Sequence, residues 1–237
     1  MSTILDFEVP FDGMALKADH YVGRDSNRIL YLHGAGGSTR RGHHLLRSAL
    51  QQRGHGSVCF DAIGHGDTGG TFAQSSVASR TRQAQAVLAA SPLSEPLVVF
   101  GSSMGAYNAI RMTQQHRIDA LVLIVPGVYT PSAYEVPFGP DFSAVIRRER
   151  SWADSDVWEI LSRFEGRLLV IHAEHDAVIP LEISERLVAA ATRAESRQLH
   201  IVRGAEHNRL WSLLQETPAD FNAALELVAG TVDGGRQ

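Results

Sequence analysis

Leu97-Val98-Val99-Phe100-Gly101-Ser102-Ser103-Met104-Gly105 decides how this chain is read. An apolar run of four residues, short enough for a buried strand, meets two glycines that bracket Ser103 at equal distance. The helical pattern Ala106 to Gln115 follows. A strand, a sharp turn and a helix in that order place the central residue at a strained apex, and glycine at each flank keeps side chains out of the crowded turn. Ser103 is therefore the candidate nucleophile. Ser102 is the poorer choice, because the glycines would flank it unevenly. The competing interpretation, a tight turn that happens to hold serines, is weakened by the strand before it and the helix after it.

Outward from this stretch the chain alternates. Ile4 to Val9 and Met14 to Val22 read as two strands joined by a hairpin at Asp12-Gly13, a dipeptide suited to positive φ angles. Short apolar runs then recur at Arg28–Leu32, Ser57–Phe60, Leu97–Phe100, Leu121–Val125, Leu168–His172 and Gln198–Val202. Each is bounded by glycine, proline or polar residues, as buried parallel strands are. Helical patterns lie between them at Arg41–Arg53, Ala73–Ala90, Ala106–Gln115, Leu181–Thr192 and Phe221–Ala229, with Pro218 placed for the first turn of the last. The pattern predicts an α/β fold: a mainly parallel sheet with an antiparallel N-terminal hairpin and helices on both faces. The stretch Thr231 to Gln237, with two glycines and little to bury, is expected to fray.

One segment breaks the rhythm. Gly127 to Glu165 holds Pro131, Pro137 and Pro140, then helical patterns around Phe142–Arg150 and Ser155–Phe164. It is too long for an ordinary connection. It reads as a short helical cap over the edge where open α/β sheets bind ligands, with an elaborated crossover on the side of the sheet as the alternative. Phe142, Val145 and Ile146 share one helical face, leaving Arg147 and Arg148 to solvent rather than to an anionic ligand.

Composition bounds the rest. The 237 residues, 44% of them hydrophobic, fit a single domain with a sizeable core. A net charge of −4 offers no field for nucleic acid or an anionic membrane. Cys59 is the sole cysteine, so no intrachain disulfide forms, and a reducing, cytoplasmic setting is expected. No signal segment or membrane span is read from the chain. Gly34-Ala35-Gly36-Gly37-Ser38-Thr39 lacks the last glycine of a dinucleotide cradle, and no Gly-Lys-Ser/Thr follows, so no nucleotide cofactor is expected. His43-His44 and the His172/His175 pair lack further ligands at metal spacing, so no metal is expected either.

With these elements in place, Phe7 to Leu227 resembles the α/β-hydrolase superfamily. The resemblance rests on motifs that each follow a strand. His33-Gly34-Ala35-Gly36-Gly37 is similar to the family's oxyanion loop, and Asp61-Ala62-Ile63-Gly64-His65-Gly66-Asp67 to the loop after the next strand. The serine turn comes third. His172 to Pro180 resembles the loop that bears the acid, and Gly204-Ala205-Glu206-His207 the loop that bears the histidine. The order Ser, Asp, His is the one the family uses.

A serine hydroxyl needs a base to take its proton, and the base needs a carboxylate to hold its tautomer. Of eleven histidines, most fall in the hairpin, in helices or within strands, His33 orders its own loop, and His65 and His175 are at best supporting residues. His207, in a loop after the last strand, is the candidate base. Asp176 is the candidate acid, with Glu174 its competitor; the Ala-Val-Ile-Pro that follows fits the family only with Asp176 in that role. The resemblance implies that the N–H groups of Met104 and Ala35 form the oxyanion hole. Gly34, Tyr129, Trp152 and Trp158 are the candidate substrate-binding residues, the aromatic ones serving either an apolar acyl pocket or a packed lid. The expected activity is hydrolysis of a small to medium acyl ester or thioester. The alternatives are acyl transfer or thioester release in a biosynthetic pathway, and a silent binding protein on the same fold.

Overall fold

Asp12 and Gly13 both take positive φ, 46° and 75°, and turn β1 (Ile4–Phe11) back into β2 (Met14–Tyr21) with Phe11 opposite Met14. The computed structural model describes residues 3–234. The hairpin is followed by β3 (Ser26–Leu32), α1 (His44–Gln52), β4 (His55–Phe60), α2 (Val77–Ala90), β5 (Leu97–Ser102) and α3 (Met104–Met112). Next come β6 (Ile118–Ile124), α4 (Pro140–Ile146), α5 (Val157–Ser162), β7 (Arg167–Ala173), α6 (Leu181–Ala190), β8 (Ser196–Val202), α7 (Leu210–Glu216) and α8 (Pro218–Asp233).

The eight strands form one sheet in the order β1-β2-β4-β3-β5-β6-β7-β8. β3 to β8 run parallel, and β2 joins antiparallel to β4. The fold read from the sequence is the fold found. Side chains alternate across the sheet: Leu97 and Val99 face the core shared with Ala106 and Ile110 of α3, while Val98 and Phe100 face the core shared with Leu46 of α1 and Val228 of α8. Both faces are covered, which is why the central strands carry uninterrupted apolar runs. The chain leaves β3 for β4 on one side and returns to β5 on the other. That reversal opens a crevice at the carboxyl ends of β3 and β5, where ligands bind in open α/β sheets.

Three details differ from the sequence reading. α7 was not anticipated. α8 runs past Ala229 to Asp233, because Val228, Ala229 and Val232 bury one face, and Gly234 closes it in the left-handed region at φ 70°; the remainder of the expected frayed tail lies outside the described residues. In the long insertion, α4 stops at Ile146 and α5 covers only Val157–Ser162.

The insertion divides between the two roles considered for it. Its first half stays at the carboxyl edge: the Phe138 N–H donates to the Ser75 carbonyl (2.9 Å), the Tyr134 carbonyl accepts from Ala78 N–H (2.9 Å), and Phe138 stacks on Phe72 at 4.2 Å. Its second half is a crossover, with α5 packed between α3 and α6 and Asp156 accepting from Tyr107 (2.6 Å) and pairing with Arg111. Among the described residues, no helix is long and apolar enough to cross a membrane.

Candidate active site

Ser103 sits between β5 and α3 at φ 49°, ψ −117°, a conformation that L residues rarely adopt. It persists because the surroundings hold it: the Ser103 N–H donates to Ile124 (2.9 Å), and its carbonyl accepts from Ala106 and Gly127 (3.0 Å each). The two flanking glycines have specific causes. A β-carbon on Gly101 would lie 2.5 Å from the Ala106 α-carbon, and one on Gly105 would lie 2.2 Å from the Leu32 carbonyl oxygen. The helix can therefore close onto β3 only with glycine there.

β7 and β8 end side by side and deliver the other two residues. Asp176 N–H bonds the Ala173 carbonyl (3.1 Å), and the two loops are tied by Glu174 N–H to Val202 (3.1 Å) and His175 N–H to Ala205 (2.8 Å). The Ser103 Oγ lies 3.1 Å from His207 Nε2, and His207 Nδ1 lies 2.7 Å from Asp176 Oδ2. Asp176 Oδ1 accepts from the N–H groups of Val178 and Ile179, at 2.8 Å each. Burial pushes the Asp176 carboxyl up, but the bonds from His207, Ile179 and Val178 outweigh it and hold the group below its ordinary range. Glu174 points elsewhere, accepting from Gly204 N–H at 2.7 Å and so bracing the histidine loop. His172 is buried and bonded to Ser184 Oγ (2.9 Å), and burial lowers its pKa.

The loop after β3 lies against the nucleophile. A β-carbon on Gly34 would come 3.2 Å from the Ser103 β-carbon, so Gly34 lets the backbone approach. His33 accepts from Ala62 N–H at Nε2 (3.0 Å), which puts its proton on Nδ1, 2.7 Å from the Gly34 carbonyl. Burial, then the charge of Arg80, push this histidine well below its usual value, so it is neutral. Met104 opens α3, and the first N–H groups of a helix lack intrahelical acceptors. Below the loop, Arg40 pairs with Asp19, Asp61 and Asp67, and Asp61 also accepts from Arg40 N–H (2.7 Å) and Asp67 N–H (3.0 Å).

Tyr129 belongs to this neighbourhood, since its hydroxyl lies 3.2 Å from where a Gly127 β-carbon would stand. Burial raises the phenol to about 12, with the Arg80 charge partly offsetting it. Trp152 and Trp158 pack edge to face at 6.4 Å; Arg150 covers the first, Arg186 of α6 the second, and the Trp158 indole N–H donates to the Ala153 carbonyl (3.1 Å). A cleft of about 810 Å³ at the opposite end of the sheet, lined by His116, Arg117 and Glu159 among others, shares no residue with the Ser103 site. No cluster of metal-ligating side chains is present among the described residues.

Arg80 was missed from sequence. In Ser76-Val77-Ala78-Ser79-Arg80-Thr81-Arg82 it looks like one of two solvated helix charges. Arg82 is in fact half exposed, but Arg80 is buried and its guanidinium reaches the carbonyls of His33 and Gly34.

A family model described as serine aminopeptidase, S33, matches residues 24–153. The chain belongs to this family of α/β hydrolases. The matched span contains Ser103 and ends before Asp176 and His207, which rest on the sequence motifs and on the geometry. Relatives of this hydrolase include an uncharacterized protein of Mycobacterium tuberculosis, 30% identical over 205 residues that cover 83% of the chain and 69% of that protein. Lysophosphatidylserine lipase ABHD12 of Macaca fascicularis is 29% identical over 199 residues, covering 77% of the chain and 48% of the lipase. The hydrolase thus spans about half the length of that relative. In fold it is similar to Est1E of Butyrivibrio proteoclasticus, solved with ferulic acid bound (TM-score 0.72, 17% identity, 96% of this chain and 99% of that one). It is also similar to an esterase of Pyrococcus furiosus (TM-score 0.71, 20% identity, 98% and 92%).

Proposed function

We propose that this α/β hydrolase is a serine-dependent acyl hydrolase acting on a carboxylic ester or thioester. The observation that carries the reading is the continuous contact from Ser103 Oγ to His207 Nε2 and from His207 Nδ1 to Asp176. His207 takes the hydroxyl proton as Ser103 Oγ bonds to the substrate carbonyl carbon, and Asp176 stabilises the imidazolium that forms. The carbonyl electron pair moves to oxygen, where the N–H groups of Met104 and Ala35 receive it. When the tetrahedral species collapses, the bond to the leaving alcohol or thiol breaks and His207 returns the proton to it. Water then repeats the sequence on the acyl-enzyme, with His207 as base, releasing the acid and restoring Ser103.

Tyr129 meets the bound acyl group in this reading, which the nearness of its hydroxyl to Gly127, beside Ser103, supports. The likeness to the ABHD12 lipases supports including a lysophospholipid among the substrates tested. A cytoplasmic setting is part of this reading, and a lone cysteine with no intrachain disulfide supports it.

The test is a panel of p-nitrophenyl esters, thioesters and anilides of increasing acyl length, with lysophosphatidylserine, run on the wild-type chain and on Ser103→Ala. Turnover of esters or thioesters that disappears in Ser103→Ala is expected. Turnover that survives the substitution would contradict the reading.

A further inference from the structure

The other buried arginines of this protein have carboxylate partners: Arg40 pairs with Asp19, Asp61 and Asp67, and Arg47 with Asp19. Arg80 has none among the described residues. It is only 4% exposed. Burial lowers it to about 10, which leaves it charged at neutral pH. A lone buried cation is destabilising unless its donors are taken up. Here they are taken up by backbone: Nη2 donates to the His33 carbonyl at 2.5 Å and Nη1 to the Gly34 carbonyl at 3.1 Å, with Nη1 also 3.4 Å from the Met104 sulfur. Arg80 therefore touches both segments that supply the proposed oxyanion hole. Its own position is fixed, because Ser76 caps α2 by accepting from Ser79 N–H (3.0 Å) and Asn108 of α3 donates to Val77 and Thr81 (2.9 Å each).

We propose that Arg80 is a positioning residue of the oxyanion hole, acting beside His33. A trans peptide is planar, with its C=O and N–H pointing in opposite directions. The carbonyl of Gly34 shares its peptide with the N–H of Ala35. Arg80 and the His33 Nδ1–H, 2.7 Å from the same oxygen, together hold that carbonyl, and a carbonyl held on their side turns the Ala35 N–H the other way. The charge lies against the Gly34 carbonyl and the Met104 side chain, with no carboxylate partner among the described residues, and favours negative charge on a carbonyl oxygen bound nearby. A structural pin would need no cation: the neutral amide of Asn108 on α3 already ties that helix to Val77 and Thr81 of α2. The inference rests on the acyl-hydrolase reading above.

Arg80→Met keeps the volume and removes the charge, and Arg80→Lys keeps the charge but cannot span two carbonyls. Turnover is measured per active site, counted by end-point labelling of Ser103 with a fluorophosphonate, together with the affinity of an alkyl boronic acid that forms a tetrahedral adduct on Ser103. In Arg80→Met, kcat should fall about ten- to hundredfold with KM changed less than about twofold, and boronate affinity should weaken in step with kcat/KM. Arg80→Lys should recover part of the loss. A structural pin alone would lower the number of active sites and leave kcat per site unchanged; that result, or unchanged boronate affinity, would overturn the proposal. If Arg80→Met does not fold, Arg80→Lys decides alone: kcat below wild type at constant KM supports the role, and wild-type kcat refutes it. Failure of the wild-type chain to label at Ser103 would end the acyl-hydrolase reading itself, whereas normal labelling with unaffected Arg80 variants would end only this inference.

Discussion

Asp176 gives one carboxylate oxygen to His207 and the other to its own loop. Oδ2 lies 2.7 Å from His207 Nδ1, while Oδ1 accepts from Val178 and Ile179 at 2.8 Å each. The loop thus fixes the carboxylate before the histidine meets it. This pre-orientation explains why a short Asp serves here, and why the neighbouring Glu174, committed to Gly204 N–H, does not.

Asp176→Asn should lower kcat by about ten-thousandfold, the loss typical when the acid can no longer select the correct histidine tautomer. Glu174→Gln should leave kcat near wild type, since the amide oxygen still accepts from Gly204. Steady-state kinetics of the two variants checks this directly, and a greater loss in Glu174→Gln would move the acid.

The meeting of Ser103, Asp176 and His207 was legible because each follows a strand whose apolar run is plain: Ser103 after β5, Asp176 after β7 and His207 after β8. The glycines at 101 and 105 were legible from their even spacing about Ser103, and the structure supplies the cause: a β-carbon at either would lie 2.5 Å or less from neighbouring backbone. Arg80 was not, since nothing local distinguishes a helix charge that points at a neighbouring loop from one that points at water. α7 escaped because its apolar residues, Leu210, Trp211, Leu213 and Leu214, fill only two turns after an irregular loop. The overlong reading of the helix from Phe142 took in Arg147 to Arg150, whose charges carry no period and whose last member turns to φ 50°.

His43 should make the fold acid-sensitive. Both of its ring nitrogens are buried without a partner among the described residues, and the ring stacks on Tyr31 at 4.2 Å. Burial, with Arg47 nearby, lowers its pKa from 6.5 to about 3. Between those values the unfolded chain binds a proton that the native chain does not, so the stability present above pH 6.5 is lost as pH falls toward about 3. His43→Phe keeps the stack and removes the proton. The slope of unfolding free energy against pH should become shallower by up to about 1.4 kcal/mol per unit in that window. Urea unfolding at several pH values measures it, and an unchanged slope would contradict the assignment.

Trp152 packs against Trp158 and under Arg150, so it is expected to anchor the insertion rather than to contact the acyl chain. Trp152→Ala should destabilise the protein by about 3–5 kcal/mol, the range for a buried large-to-small change. The relative rates on short and long acyl donors should stay as in wild type. A shifted chain-length profile at unchanged stability would place the ring in the pocket instead.

The central claim is that Ser103 is the activated nucleophile of this hydrolase. Treating the native protein with a fluorophosphonate and mapping the modified peptide tests it most directly. The account predicts a single adduct, on Ser103, that is absent from a folded Ser103→Ala variant; an adduct on any other residue, or none in protein that turns over esters, would contradict it.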